Sequence, residues 1–141
     1  MDLLLRSQLI GRLGCSNEGT TYVVPVSYVY DGQYIYGYTL EGKKMSILKT
    51  NPSVCFQVDS IADLANWQSV IVQGHFEELK GQDKEEALQL LANRFMPLKT
   101  GQSNLPKYGM DKIHSRVKTN THFITYRIAV KEKSGRFEKE E

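Results

Sequence analysis

Apolar and polar residues alternate with a period of two along much of this chain, which predicts half-buried β-strands. Tyr22-Val-Val-Pro-Val-Ser-Tyr-Val-Tyr30 is dense in β-branched and aromatic residues and reads as one strand. Asp31-Gly32 is a strong hairpin signal, since a type I′ turn needs positive φ at both central positions. Gln33 to Thr39 is then the return strand. Pro25 cannot donate to a ladder, so its strand lies at a sheet edge or is bulged there. Val54, Phe56 and Val58 alternate with polar neighbours over a strand from Ser53 to Asp59. Trp67 to Leu79 reads as a longer strand that bends or bulges at Gly74. His122 to Val130 reads as the last. A further strand is expected over 12–16, ending in the turn Asn17-Glu18-Gly19.

Three segments carry the helical period instead. Leu3, Leu4, Leu5, Leu9 and Ile10 suggest two turns at the start. Met45 and Leu48 share a face in a short helix from Gly42 to Lys49, ended by Asn51-Pro52. Asp83 through Met96 has an apolar stripe of Leu88, Leu91, Ala92 and Phe95, with Asp83 as cap, Glu85 and Glu86 in the first turn, and Pro97 as its stop. Residues 60–66 read as a loop. So do 98–120, a polar stretch long enough to suggest a functional loop. The charged tail 131–141 is expected to fray. Many short strands with two or three helices predict a single mainly β domain, a closed or partly closed antiparallel barrel with peripheral helices.

The chain has 141 residues, of which 40% are hydrophobic and 24% charged, as in ordinary globular domains. That length suffices for one core without metals or disulfides. Its net charge of +2 is too small to suggest a nucleic-acid or membrane-surface partner. No run reaches the ~18 apolar residues of a membrane span, and Asp2 with the short Leu3–Leu5 cluster does not resemble a secretory signal. The reading is a cytoplasmic protein with Cys15 and Cys55 both reduced. Neither cysteine sits in a C-x-x-C pair, and His75, His114 and His122 lack a ligand partner at i+3 or i+4, so no metal site is expected. Motifs for nucleophilic hydrolysis, zinc proteolysis, dinucleotide binding or a phosphate-binding Walker loop are missing.

Candidate chemistry concentrates in Tyr36-Gly-Tyr-Thr-Leu-Glu-Gly-Lys-Lys44. A strand ends in the hydroxyl of Thr39, and Gly42 opens a helix carrying two lysines. Hydroxyls, free helix-start amides and lysines together suit an anion. The same lysines also fit a solvated helix face, which is what such charge pairs usually are.

The order and spacing of several segments resemble the pyridoxamine-phosphate-oxidase-like family of flavin-binding split barrels. Gly42-Lys43-Lys44, Asn51-Pro52 and Val54-Cys-Phe56 are similar to that family's flavin phosphate loop. Tyr22–Gly32 is similar to its upstream hairpin and Trp67–Gly74 to its Ser-Val-x-x-x-Gly strand. Tyr126–Val130 with Ser134-Gly-Arg136 resembles the close of small bacterial members, nitroimidazole-resistance-type proteins among them. The resemblance implies an FMN-binding split β-barrel over residues 1–141. It implies that Pro25, Val26 and Ser27 line the isoalloxazine through backbone groups, and that Tyr38 and Thr39 flank the ribityl phosphate. Lys43 and Lys44 would hold the phosphate. Ser69, with Trp67, Gln68 and Val70, would reach the flavin edge, although Trp67 fits a core or interface aromatic as well. It further implies a homodimer with the flavin at the interface.

The arginine-rich C-terminal segment of pyridoxamine phosphate oxidase proper has no counterpart in Phe137–Glu141, which argues against vitamin B6 oxidation. The expected function is an FMN-dependent oxidoreductase acting on a small molecule, a nitro compound among the candidates, with no protein acid or base assigned. A non-catalytic flavin-binding or sensor protein and a haem-binding member of the same barrel are the alternatives.

Overall fold

The computed structural model describes residues 1–100 and 123–140. Along the chain run α1 (Asp2–Ser7), β1 (Ile10–Asn17), β2 (Thr20–Ser27), β3 (Val29–Tyr30), β4 (Tyr34–Leu40), α2 (Lys43–Thr50), β5 (Ser53–Asp63), β6 (Asn66–Leu79), α3 (Gly81–Thr100) and β7 (Phe123–Glu138). The strands form one antiparallel sheet in the order β2-β1-β5-β6-β7-β4-β3. Val26 near one end of the sheet and Tyr30 and Ile35 near the other belong to a single buried cluster. The sheet therefore curls on itself, and it stays split where β2 and β3 share no ladder: a split β-barrel. Val54, Phe56 and Val58 fill its interior as their alternation predicts, with the Tyr28 and Phe56 rings edge-on at 4.8 Å.

The helices close the barrel. Leu4 and Leu5 of α1 enter the core, and the buried Tyr28 hydroxyl donates to the Leu5 carbonyl at 2.6 Å. Burial pushes that phenol's pKa up to about 12, so it stays a donor. Arg94 of α3 donates to the carbonyls of Arg6 and Ser7, acceptors left open at the end of α1. Met45 and Leu48 of α2 are buried, as their shared face requires, and Ile47 is buried with them.

Several boundaries depart from the sequence reading. Tyr22–Tyr30 is two strands, not one: Tyr28 leaves the ladder, its N–H bonding to the Leu9 carbonyl, and the chain passes from β1's partner to β4's. The positive-φ pair of a type I′ turn stands at Glu18-Gly19 (φ 48° and 83°). At Asp31-Gly32 only the glycine has positive φ, and the Asp31 carboxylate accepts from the N–H groups of Gln33 and Tyr34. Residues 60–66 are mostly ladder: β5 runs to Asp63 and β6 begins at Asn66. Asp83 sits in the first turn of α3 rather than at its cap. Pro97 does not stop α3, which reaches Thr100; proline's fixed φ is already helical, so the spiral continues with one hydrogen bond missing. Residues 131–138 are not a frayed tail but the second half of β7, paired with β6 from Gln73 to Trp67. The expected loop 98–120 begins inside α3, and its remainder, with His114, lies outside the described residues, as does His122, the expected start of the last strand.

Candidate functional site

Alternation places one set of side chains from β2, β1, β5 and β6 on the outer face of the barrel. Pro25 stands opposite Arg12, Arg12 opposite Gln57, and Gln57 opposite Ile71. β2 is the edge strand here, as Pro25 requires. Across this face Arg12 pairs with Asp59 at 3.5 Å. The Gln57 amide donates to Asp59 at 2.9 Å and to the Ser69 hydroxyl at 3.0 Å. Ser69 and Pro25 thus share one surface, linked through Arg12, Gln57 and Asp59.

Beside this network lies an open groove of about 790 Å³. Gly14 and Cys55, which face each other across β1 and β5, are small and leave room on its floor. Ser16, Thr21 and Ser53 offer hydroxyls toward one end; Arg12 and Lys131 bring positive charge. Burial raises the pKa of both thiols, so neither is a ready thiolate at neutral pH.

The corner where β4 hands over to α2 has its own electrostatics. Gly42 caps α2 without a side-chain hydrogen bond, so side chains leave the first-turn N–H groups open. Lys43 opens the helix. Lys44, half-buried beside Cys15, has its pKa lowered from 10.5 because burial disfavours the charge, with Cys15 opposing. Lys44 forms no ion pair with a carboxylate among the described residues. The acid of the connecting loop, Glu41, is held by Lys49 at 2.9 Å. Gly42 has a φ of 174°, open to any residue, and a Cβ built there meets nothing within 4 Å. The protein's own packing gives no reason for glycine at this point.

The remaining residues singled out from sequence are scattered. Val26 and Val70 turn their side chains into the core, leaving only backbone for any ligand. Ser27 is half-buried near the end of β2. Tyr38 lies in an apolar cluster with Leu88, Ala92 and Phe95 of α3, away from the groove. Thr39 is half-buried in β4, its hydroxyl 3.4 Å from the Leu40 carbonyl. Trp67 donates its indole N–H to Glu138 at 2.9 Å, and Gln68 is exposed beside it. Arg12, Gln57, Asp59 and Lys131 were not singled out. The signal for the first three was their shared parity on paired strands, visible only once the register is known. Among the described residues no three potential ligands converge on a metal position, and no helix is long and apolar enough to cross a membrane.

Comparison with known proteins agrees with this architecture. A curated relative, an uncharacterized protein from Rhizobium meliloti (strain 1021), is 33% identical over 70 residues, covering 50% of this chain and 46% of that protein. The match therefore spans less than half of that relative. A crystal structure of an FAD-binding protein from Mesorhizobium loti superposes with a TM-score of 0.70 at 27% identity, covering 96% of this chain and 91% of the other. HutZ, the heme storage protein from Vibrio cholerae, superposes with a TM-score of 0.68 at 12% identity, covering 97% and 91%, a likeness of fold. The pyridoxamine 5'-phosphate oxidase family model matches residues 1–137. With nearly the whole length matched, the chain belongs to the pyridoxamine 5'-phosphate oxidase family.

Proposed function

We propose that this protein binds FMN on the outer face of the barrel and is a flavin-dependent oxidoreductase for a small-molecule substrate. The observation that carries the reading is Lys44: a half-buried cation without a carboxylate partner among the described residues, beside a helix start without a side-chain cap. A partly desolvated, uncompensated charge costs free energy, and a phosphate dianion is the ligand that offsets it. The open space at Gly42 lets a phosphate approach the backbone. The name of the Mesorhizobium loti neighbour, at 27% identity, supports a flavin. On this reading Lys43 and Lys44 hold the phosphate with the α2 amides, and Thr39 stands by the ribityl chain. The backbone of Pro25–Ser27 and the hydroxyl of Ser69 meet the ring system. Tyr38 and Trp67 support this frame rather than touch the ring. FMN supplies the hydride and electron chemistry when bound, and the protein's part is binding and orientation. The exposed apolar residues Ile10, Val23 and Ile71 of the same face suit a second copy of the chain, giving a homodimer that covers the flavin.

The test is titration of the purified protein with FMN, followed by its visible spectrum and by chromatography of the cofactor released on denaturation. A perturbed flavin spectrum at saturation with release of FMN is expected. A protein whose spectrum never departs from that of free FMN contradicts the proposal. Bound flavin that neither NAD(P)H nor an artificial donor reduces would mark a carrier or sensor instead of an enzyme.

A further inference from the structure

Among the described residues the groove is lined by two cations, three hydroxyl residues and two glutamines, and by no carboxylate. Arg12 has Asp59 as a partner at 3.5 Å. Lys131 has no ion pair among the described residues and stands exposed on the β7 wall. It occupies this wall through an irregularity. The β6–β7 register shifts between Gln73 and Gly74, Gln73 pairing with Glu132 and Gly74 with Val130, so Lys131 is the extra residue of a β-bulge. The strand accepts a second constraint at the same point. A Cβ on Gly74 would lie 2.5 Å from Ile128 Cγ2 and 2.7 Å from the Ala129 carbonyl oxygen. The glycine answers the close approach of β7, whereas the bulge forgoes ladder pairing, and bulges serve to re-aim a side chain beside a binding site. The bulge falls where Lys131 meets the groove.

We propose that Lys131 is a substrate-binding residue that anchors the anionic group, a carboxylate or a phosphate monoester, of the small molecule occupying this groove. The proposal rests on the flavin reading, because a substrate has to lie against the ring on the same face. The groove sits toward the upper part of the ~300–1,000 Å³ range of small-molecule sites. Its glutamine and hydroxyl lining can orient polar substituents, and the Asp59 carboxylate beside it is engaged by Arg12 and Gln57. Cys55 on the floor is half-buried and Cys15 is buried in the core, so Cys55 reports occupancy of the groove.

The experiment follows alkylation of Cys55 by iodoacetamide, read by peptide mass spectrometry, with benzoate as the carboxylate probe, phenyl phosphate as the phosphate probe and benzamide as the uncharged control. Wild type, Lys131→Gln and Lys131→Arg are compared, with and without FMN, and their melting temperatures are matched first. At least one anionic probe is expected to protect Cys55 in wild type and Lys131→Arg. Lys131→Gln should need roughly tenfold more of it, the loss of one charge-assisted hydrogen bond. Whichever anion protects names the group recognised. Equal protection in Lys131→Gln, protection by benzamide as good as by the anions, or no protection by either anion overturns the proposal. FMN titration of the same samples keeps the two readings apart: failure to bind FMN removes the flavin reading while the Cys55 result still reports on the anion.

Discussion

Lys44 and Gly42 make opposite kinds of statement about the same corner. The lysine is held where its charge is uncomfortable, and the glycine sits where the fold needs none. Two outcomes follow if a phosphate is what both accommodate. Because burial holds the Lys44 pKa below 10.5, its charge is lost at lower pH than that of an exposed lysine. FMN affinity measured by fluorescence quenching should therefore begin to fall below pH 10.5 as the pH rises, and Lys44→Arg, which stays charged, should flatten that decline. The sign for stability is the same as for any base with a lowered folded pKa. Without ligand the fold binds this proton less well than the unfolded chain, so the Lys44 contribution becomes more favourable as pH rises through the lowered pKa. At position 42, Gly42→Thr keeps a capping residue and fills open space. Its melting temperature should stay within a degree or two of wild type while FMN affinity drops, and an unchanged affinity would mean that no ligand approaches the backbone there.

Among the elements, β7 separates what the chain declares from what it conceals. Its first half, Ile124 to Val130, carries the apolar alternation of a strand that lines a core. Its second half is charged, and burial does not reveal it; backbone pairing with β6 and the Trp67–Glu138 bond hold it in place. The end of β5 is hidden for the same reason, since Ser60 to Asp63 are exposed and owe their strand to the ladder alone. Strands that bury a face were legible, as Val54, Phe56 and Val58 illustrate. Strands that only pair were not; Gly74 announced the irregularity in β6–β7, but not that its extra residue is Lys131 of β7. The β4–α2 corner proposed to hold a phosphate stood out in the sequence because its residues are contiguous. The outer-face network of Arg12, Gln57, Asp59 and Ser69 was not, because it exists only through register. Gly74 ties these strands together most tightly. Gly74→Ala should lower unfolding stability by about 1–3 kcal/mol in urea titrations, since the Ala129 carbonyl that the new methyl meets is backbone and cannot swing aside. A neutral outcome would show that the β6–β7 contact is looser than described.

For the whole molecule, the split barrel leaves a broad outer face in which apolar residues surround a polar groove. If a second copy covers that face, sedimentation should give twice the 16.1 kDa chain mass. Ile71→Glu, which changes a 39% exposed position on that face, should yield a folded monomer with weakened flavin retention. A monomeric wild type would leave the flavin, if bound, with one open side. The account as a whole turns on a phosphate held by Lys44, and the direct measurement compares FMN with riboflavin, which lacks the phosphate, for wild type and Lys44→Ala. The predicted result is that the substitution weakens FMN by roughly ten- to hundredfold, about 1.5–3 kcal/mol, and leaves riboflavin unchanged. FMN binding as tight in Lys44→Ala as in wild type, or riboflavin binding as tight as FMN, would contradict it.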